Sequence, residues 1–267
     1  MNYYICQDWK STSGNHAGMA HLCRMLEKID TDNKAIVVRK DWHDIKFIRR
    51  FRKYIWNFDL YKLVNFLLSL SLIFQIKSND RIFLIEYLHK ERNQHIIARV
   101  MRFFFKDKIH IYGMVHLFPS QLEYWFCDAD FTKWSQPIDK IITLGTSLSA
   151  FLVTKGISEK KIVTTFHYVD REFYKAELST NSSSKLRVIS MGNLYRNYEM
   201  LKSIAEKLPD IEFYICKGHD SIEHLFEQAK NVKLYGYIAE NELKNLMSQC
   251  DVSLNVLFDT IGSNVIT

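Results

Sequence analysis

Glycine and proline are scarce in this 267-residue chain, at 9 and 3 residues, which argues against long flexible linkers. The five cysteines, Cys6, Cys23, Cys127, Cys216 and Cys250, are scattered, odd in number and never spaced as Cys-x-x-Cys. This excludes a disulfide frame and a cysteine zinc site, and it points to a reducing compartment. His89 and His95 are six residues apart, a spacing that does not place both on one helix face, so no metal-ligand set emerges and no metal or cofactor is expected. Met1 to Lys10 includes Asp8 and lacks the apolar core of a signal peptide. No apolar run is long enough to span a bilayer. The strongest, Leu63 to Ile76, is interrupted by Asn65, Ser69, Ser71 and Gln75. The expected location is the cytoplasm.

What is present suits a globular protein with room for two domains: 47% of residues are hydrophobic and 25% charged. The net charge of +6 favours anionic partners such as phosphates or an acidic membrane surface; nucleic acid is not an expected partner. Between Ile45 and Trp56, the cations Lys46, Arg49, Arg50, Arg52 and Lys53 alternate with aromatics. Together with the apolar run that follows, residues 45–76 read either as an element resting on an anionic membrane or as a buried helix with a solvated cationic flank.

Strands and helices alternate along the first half. Asn2 to Gln7 reads as a strand. The loop with Gly14 and Gly18 follows, and then a helix from Met19 to Ile29 with Leu22, Met25, Leu26 and Ile29 on one face. The Gly14-x-x-x-Gly18 spacing lacks the third glycine of the dinucleotide fingerprint. Further strands are expected at 34–39, 80–87, 108–116, 137–144 and 161–166, and helices at 93–105 and 147–155. His116 falls at the C-terminal end of its strand, the edge where open parallel sheets bind ligands.

The polar stretch Ser179 to Ser184 reads as a linker, after which the alternation restarts. Strands are expected at 186–191, 211–216 and 232–235, and helices at 198–207, 221–229 and 240–249. Repeated strand–helix units argue for parallel sheets with right-handed crossovers. The expected fold is α/β with two doubly wound Rossmann-like domains, one over 1–178 and one over 185–267. The last stretch organises the second of these. Val252 to Leu257 reads as a short buried strand, followed by a loop with Asp259, Thr260 and Gly262 and by helix-capping residues Ser263 and Asn264. A strand, a glycine turn and a helix start form an anion site in outline. The text stops with that helix barely begun, so the expectation is a chain cut short, with an incomplete second domain and an inactive fragment.

These residues resemble the retaining nucleotide-sugar glycosyltransferases of the GT-B fold, the group that includes sucrose, mannosyl and capsular-sugar transferases. The segment from Gly14 to Gly18 matches the glycine-rich loop near the donor diphosphate, and Met114-Val115-His116 matches the strand-end histidine. Ile162 to Asp170, with Phe173 after it, resembles a segment usually reading Asn-Gly-Val-Asp and then Phe, with His167 and Tyr168 replacing Asn-Gly. Gly192 to Asn197 resembles the Gly-Arg…Lys segment, with Asn193 standing for the arginine and Arg196 for the lysine. Val232 to Gly236, then Glu242-Leu243 and Cys250-Asp251-Val252, leads into the donor motif. There, Asp259 takes the place of the first glutamate, Gly262 that of the glycine, and Thr267 that of the second glutamate, which in the family holds the donor ribose.

The resemblance implies transfer of a sugar from a nucleotide-sugar to a glycan or lipid-linked acceptor in cell-surface polysaccharide synthesis, at the cytoplasmic face of the membrane and without a metal. Arg196 and Gly192 would meet the phosphates, with helix-end amides of Gly262, Ser263 and Asn264. Gly14 and Gly18 would close over them, and His116 would contact the sugar. Two rival readings remain: a sugar-nucleotide epimerase on the same fold, which would need further acid/base carboxylates and histidines, and a non-catalytic sugar or nucleotide binding protein.

Overall fold

A computed structural model of the chain describes residues 1–8, 14–39, 60–175, 185–192 and 195–258. These residues divide after Val169 into two compact units.

The first unit is built on six parallel strands in the order β2-β1-β3-β4-β5-β6. They are β1 (Asn2–Asp8), β2 (Asn33–Arg39), β3 (Arg81–Leu84), β4 (His110–Val115), β5 (Lys140–Thr143) and β6 (Ile162–Thr164). Helices α1 (Met19–Ile29), α2 (Leu60–Ile73), α3 (His95–Phe105), α4 (Pro119–Trp125), α5 (Asp128–Ser135) and α6 (Thr146–Thr154) supply the crossovers. Side chains alternate between sheet faces, so neighbours in sequence enter different cores. Tyr3 and Ile5 join Ile82, Leu84 and Ile111 in the large core that also holds Leu72, Ile97 and Phe131. Tyr4 and Cys6 point the other way, toward α1, where Cys6 packs with Ala20 and Cys23. The Tyr4, Phe83 and Tyr112 rings stack across β1, β3 and β4 at 4.7 and 4.8 Å. Both faces are therefore covered, as a parallel sheet requires.

The sequence reading places these strands and α1 correctly but contains no helix between His116 and Pro137. Two short ones, α4 and α5, form there. Pro119 opens α4 in the position where its missing N–H costs nothing. Asp128 and Asp130 sit in the first turn of α5, and Asp130 accepts from the Cys127 amide at 3.3 Å.

The second unit carries four parallel strands in the order β10-β7-β8-β9, namely β7 (Arg187–Met191), β8 (Glu212–Cys216), β9 (Val232–Tyr235) and β10 (Val252–Ser253). Helices α7 (Tyr198–Lys207) and α8 (Glu240–Ser248) are the long crossovers. Counted within the unit, the order is 4-1-2-3, the arrangement of the first four strands of a dinucleotide-binding sheet.

Two expectations are corrected here. The segment 221–229 forms one 3-10 turn, Glu223–Leu225, in place of a helix. Its apolar residues Ile222 and Phe226 still reach the core. The backbone gets there through successive three-residue turns, Ile222 to Leu225, Glu223 to Phe226 and Phe226 to Ala229. The expected buried strand over 252–257 pairs for two residues only, and Val252 is 45% exposed. Beyond Leu254 the chain leaves β7 and pairs with the turn after it: Asn197 N–H donates to Val256 and Phe258 N–H to Tyr195.

Candidate functional site

Open parallel sheets bind ligands where the strand order reverses, beyond the C-terminal strand ends. Each unit has one such point. In the first it lies between β1 and β3, in the second between β7 and β10.

At the first point the β1–β3 ladder ends at the Ile5–Leu84 pair, after which side chains take over the backbone groups. Glu86 accepts from the Gln7 amide at 3.1 Å, the Glu86 amide donates to Gln94 Oε1 at 2.9 Å, and Gln94 Nε2 donates to the Ile5 carbonyl at 3.1 Å. The strands part there and leave a cleft of about 440 Å³. Its lining includes Gln7, Gly14, Gly18, Arg24, Glu86 and His116, so the structure brings three of the expected site residues to one place.

Gly14 has φ +92°, a left-handed conformation that favours glycine, and a side chain there would meet nothing within 4 Å. Gly18 is the N-cap of α1 and offers no side-chain cap. The loop between them is fixed by Tyr168, whose hydroxyl lies 2.5 Å from the His16 carbonyl and 2.6 Å from that of Gly18. Arg24 on α1 holds Asp8 at 2.6 Å.

The His116 Nδ1 atom is buried and has no hydrogen-bond partner. Burial pushes its pKa down to about 4, with His167 and Arg92 adding to the shift and the Ile85 carbonyl opposing it. The ring is therefore neutral at pH 7 and suited to exchanging hydrogen bonds with uncharged groups. Gln7 is 4% exposed, and both ends of its side-chain amide are buried without a partner. Gln7 is absent from the sequence-based site. Its one signal is an amide at the end of an apolar strand, where an aliphatic residue would serve the core better.

At the second point Gly192 closes β7 with φ +83°. A Cβ there would come within 2.9 Å of Arg196 Nη2, so the guanidinium rests on the glycine. Arg196 Nε donates to the Gly192 carbonyl at 3.4 Å, and its backbone bridges Leu257. Its Nη1 is buried with no hydrogen-bond partner. Burial lowers the Arg196 pKa, and Tyr198 opposes the shift. Asn197 caps α7, its side chain accepting from the Met200 amide at 3.0 Å. Tyr198 donates to Asp220 at 2.9 Å. Beyond β8 and β9 the His219 and Tyr237 rings lie parallel, 5.5 Å apart. Asp259, Thr260, Gly262, Ser263, Asn264 and Thr267 lie outside the described residues.

No protein-family model matches the chain, and no curated protein matches it. Solved structures do. HepE from Anabaena, in complex with UDP and glucose, is 13% identical with a TM-score of 0.61, over 96% of this chain and 74% of that one. The lipopolysaccharide outer core galactosyltransferase WaaB is 11% identical with a TM-score of 0.57, over 94% and 72%. The UDP-GlcNAc 2-epimerase from Neisseria meningitidis, bound to UDP-GlcNAc, is 13% identical with a TM-score of 0.53, over 95% and 77%. The chain thus has the GT-B fold, two Rossmann-like units on parallel sheets, in common with proteins that bind UDP-sugars.

Proposed function

We propose that the protein is a nucleotide-sugar-dependent glycosyltransferase. It moves a sugar to a glycan or lipid-linked acceptor in cell-surface polysaccharide synthesis, at the inner face of the membrane. The observation that carries this reading is Arg196: a cation placed at the β7/β10 reversal, partly dehydrated, with Nη1 left unpaired. In transfer, the bond from the anomeric carbon to the diphosphate oxygen breaks. Negative charge grows on the diphosphate while the sugar gains oxocarbenium character. A preplaced guanidinium stabilises that charge without a metal. The exposed Tyr237 face beside His219 offers a stacking surface for the base. In the first unit, the Gln7 amide and the neutral His116 ring suit hydroxyl groups, because each can both donate and accept. The acceptor's proton passes to a phosphate oxygen of the donor, so no protein nucleophile is required.

A specific observation favours a second reading, a sugar-nucleotide epimerase. Asp8, Glu86 and His116 line one cleft, and these are the acid/base types that such a reaction uses. One experiment separates the readings: incubate the chain with UDP-glucose and UDP-GlcNAc, with and without a glycan acceptor, and follow it by proton NMR. Release of UDP only when acceptor is present supports transfer. Altered sugar stereochemistry without acceptor supports epimerisation. Binding with neither outcome, across acceptors, favours the non-catalytic nucleotide-sugar binder.

A further inference from the structure

Helix α2 buries two polar residues beside Leu72 and leaves a set of large apolar residues outside. Asn65 and Ser69 are 1% and 0% exposed. They are satisfied where they lie: Asn65 Nδ2 donates to the Arg92 carbonyl at 2.6 Å, and Ser69 Oγ to the Asn65 carbonyl at 2.6 Å. Tyr61 and Leu72 complete the inward face. Leu63, Phe66, Leu67 and Leu70 are exposed, as is Phe74 just beyond the helix, with Leu67 at 53%. At about 100° per residue, these five fall within an arc of roughly 100°, opposite the buried face. Single exposed leucines need no explanation, but a continuous stripe of large apolar side chains marks a contact surface.

The helix has 14 residues, and no helix among the described residues is long and apolar enough to cross a membrane. The partner therefore lies against the stripe. Its charge follows from the surroundings. Neither α2 nor α3, which packs against it, contains an acidic residue. Lys62 on α2, Arg99 on α3 and Lys133 on α5 are exposed and form no hydrogen bond or ion pair with any described residue. Arg99 and Lys133 line one open cleft together with Phe103, and Lys62 lies on α2 itself. Phe103 and Phe104 extend the exposed apolar surface at the end of α3. In the sequence, Lys46, Arg49, Arg50, Arg52 and Lys53 come shortly before α2.

We propose that the outward stripe of α2, with Lys62 on the same helix, Arg99 on the helix packed against it and Lys133 in the cleft beside Arg99, docks the protein on an anionic lipid bilayer, with the apolar side chains at the boundary between headgroups and acyl chains. A second copy of the chain fits this surface poorly: two facing stripes would bring like charges together with no carboxylate from α2 or α3 to pair them. The inference deepens the membrane side of the proposed reaction, but it rests on α2 and α3 and does not require transfer to occur.

The test is flotation of the full chain with vesicles of phosphatidylcholine alone, or of phosphatidylcholine and phosphatidylglycerol in equal parts. Binding is expected to the anionic vesicles only and to weaken with salt. The Phe66→Ser/Leu67→Ser variant lowers the partition coefficient roughly tenfold or more. Reversing Lys62, Arg99 and Lys133 to Glu lowers it roughly fivefold per charge. The charge reversals lie on exposed side chains and keep the wild-type Tm, and circular dichroism of the Phe66→Ser/Leu67→Ser variant, half-exposed at both positions, keeps the folded helical signal. Absence of vesicle binding, or binding insensitive to both variants, overturns the proposal. So does a dimer in light scattering that the Phe66→Ser/Leu67→Ser variant dissociates, since it assigns the stripe to a second copy. UDP binding retained by variants that no longer float separates failure of docking from failure of the transfer reading.

Discussion

The guanidinium of Arg196 lies against Gly192, whose missing side chain leaves it room: a Cβ there would stand 2.9 Å from Nη2. The same glycine has φ +83°, so any side chain meets both backbone strain and the guanidinium. Gly192→Ala is expected to cost about 1–3 kcal/mol of stability and to weaken UDP binding by displacing Arg196. Arg196→Ala should leave Tm nearly unchanged yet weaken UDP binding by roughly ten- to hundredfold, since a charge-assisted contact contributes about 1.5–3 kcal/mol. Calorimetric titration with UDP beside thermal unfolding measures both. If Arg196→Ala binds UDP as the wild type does, the phosphate assignment is wrong.

Gln7 yields a prediction of opposite signs. Its amide is buried with both ends unpaired, a condition that costs about 1–3 kcal/mol unless a ligand completes it. Gln7→Met keeps the volume and removes the polar atoms, so the free protein should become more stable by about that amount. The same change should weaken binding of a carbohydrate in the first-unit cleft. A variant less stable than the wild type would mean that the amide is structural.

The parts legible in the sequence were those governed by local period. The bounds of α1 and of α7, which follows the capping Asn197, match the reading to the residue, but α1 buries Ala20 and Cys23 and leaves Ile29 of the expected face 74% exposed. Helices α4 and α5 escaped because seven and eight residues hold barely two turns, too few to display a period. The segment 221–229 misled because its apolar spacing suits either an α-helix or consecutive three-residue turns. Within the site, Gly14, Gly18 and His116 were legible from their positions at strand and loop ends. Gln7 and Tyr168 were not, because their roles arise from long-range contacts. Tyr168 secures carbonyls about 150 residues before it in the chain. The exposed apolar stripe of α2 was hidden for the same reason: composition shows how apolar a helix is, and only packing shows which face is covered.

Transfer that relies on Arg196 needs no divalent ion at the diphosphate. Turnover measured after exhaustive EDTA treatment should therefore stay within about twofold of the untreated rate, whereas losing an ion that carries transition-state charge costs several kcal/mol of barrier. Abolition by EDTA and rescue by Mg²⁺ or Mn²⁺ would assign the leaving-group charge to a metal and reduce Arg196 to a secondary contact.

Acid pH should destabilise the first unit through two imidazoles. His116 and His95 both have pKa values pushed down to about 4, chiefly by burial, against about 6.5 for an imidazole in the unfolded chain. His167 and Arg92 add to the shift at His116, and Arg99, Lys62 and Lys133 add to it at His95. The folded state thus binds fewer protons than the unfolded state between these two values. Linkage then makes stability full above about pH 6.5, falling with acid down to about pH 4 and level below that as far as these groups are concerned. The loss is about 2–3 kcal/mol per ring, allowing for partial exposure. Urea unfolding from pH 7.5 to 4.5 reads this slope directly. His95→Asn and His116→Asn should each flatten it by about half and together remove most of it. If the double variant keeps the wild-type slope, the acid sensitivity belongs to other groups, and His116 is not held neutral by its surroundings.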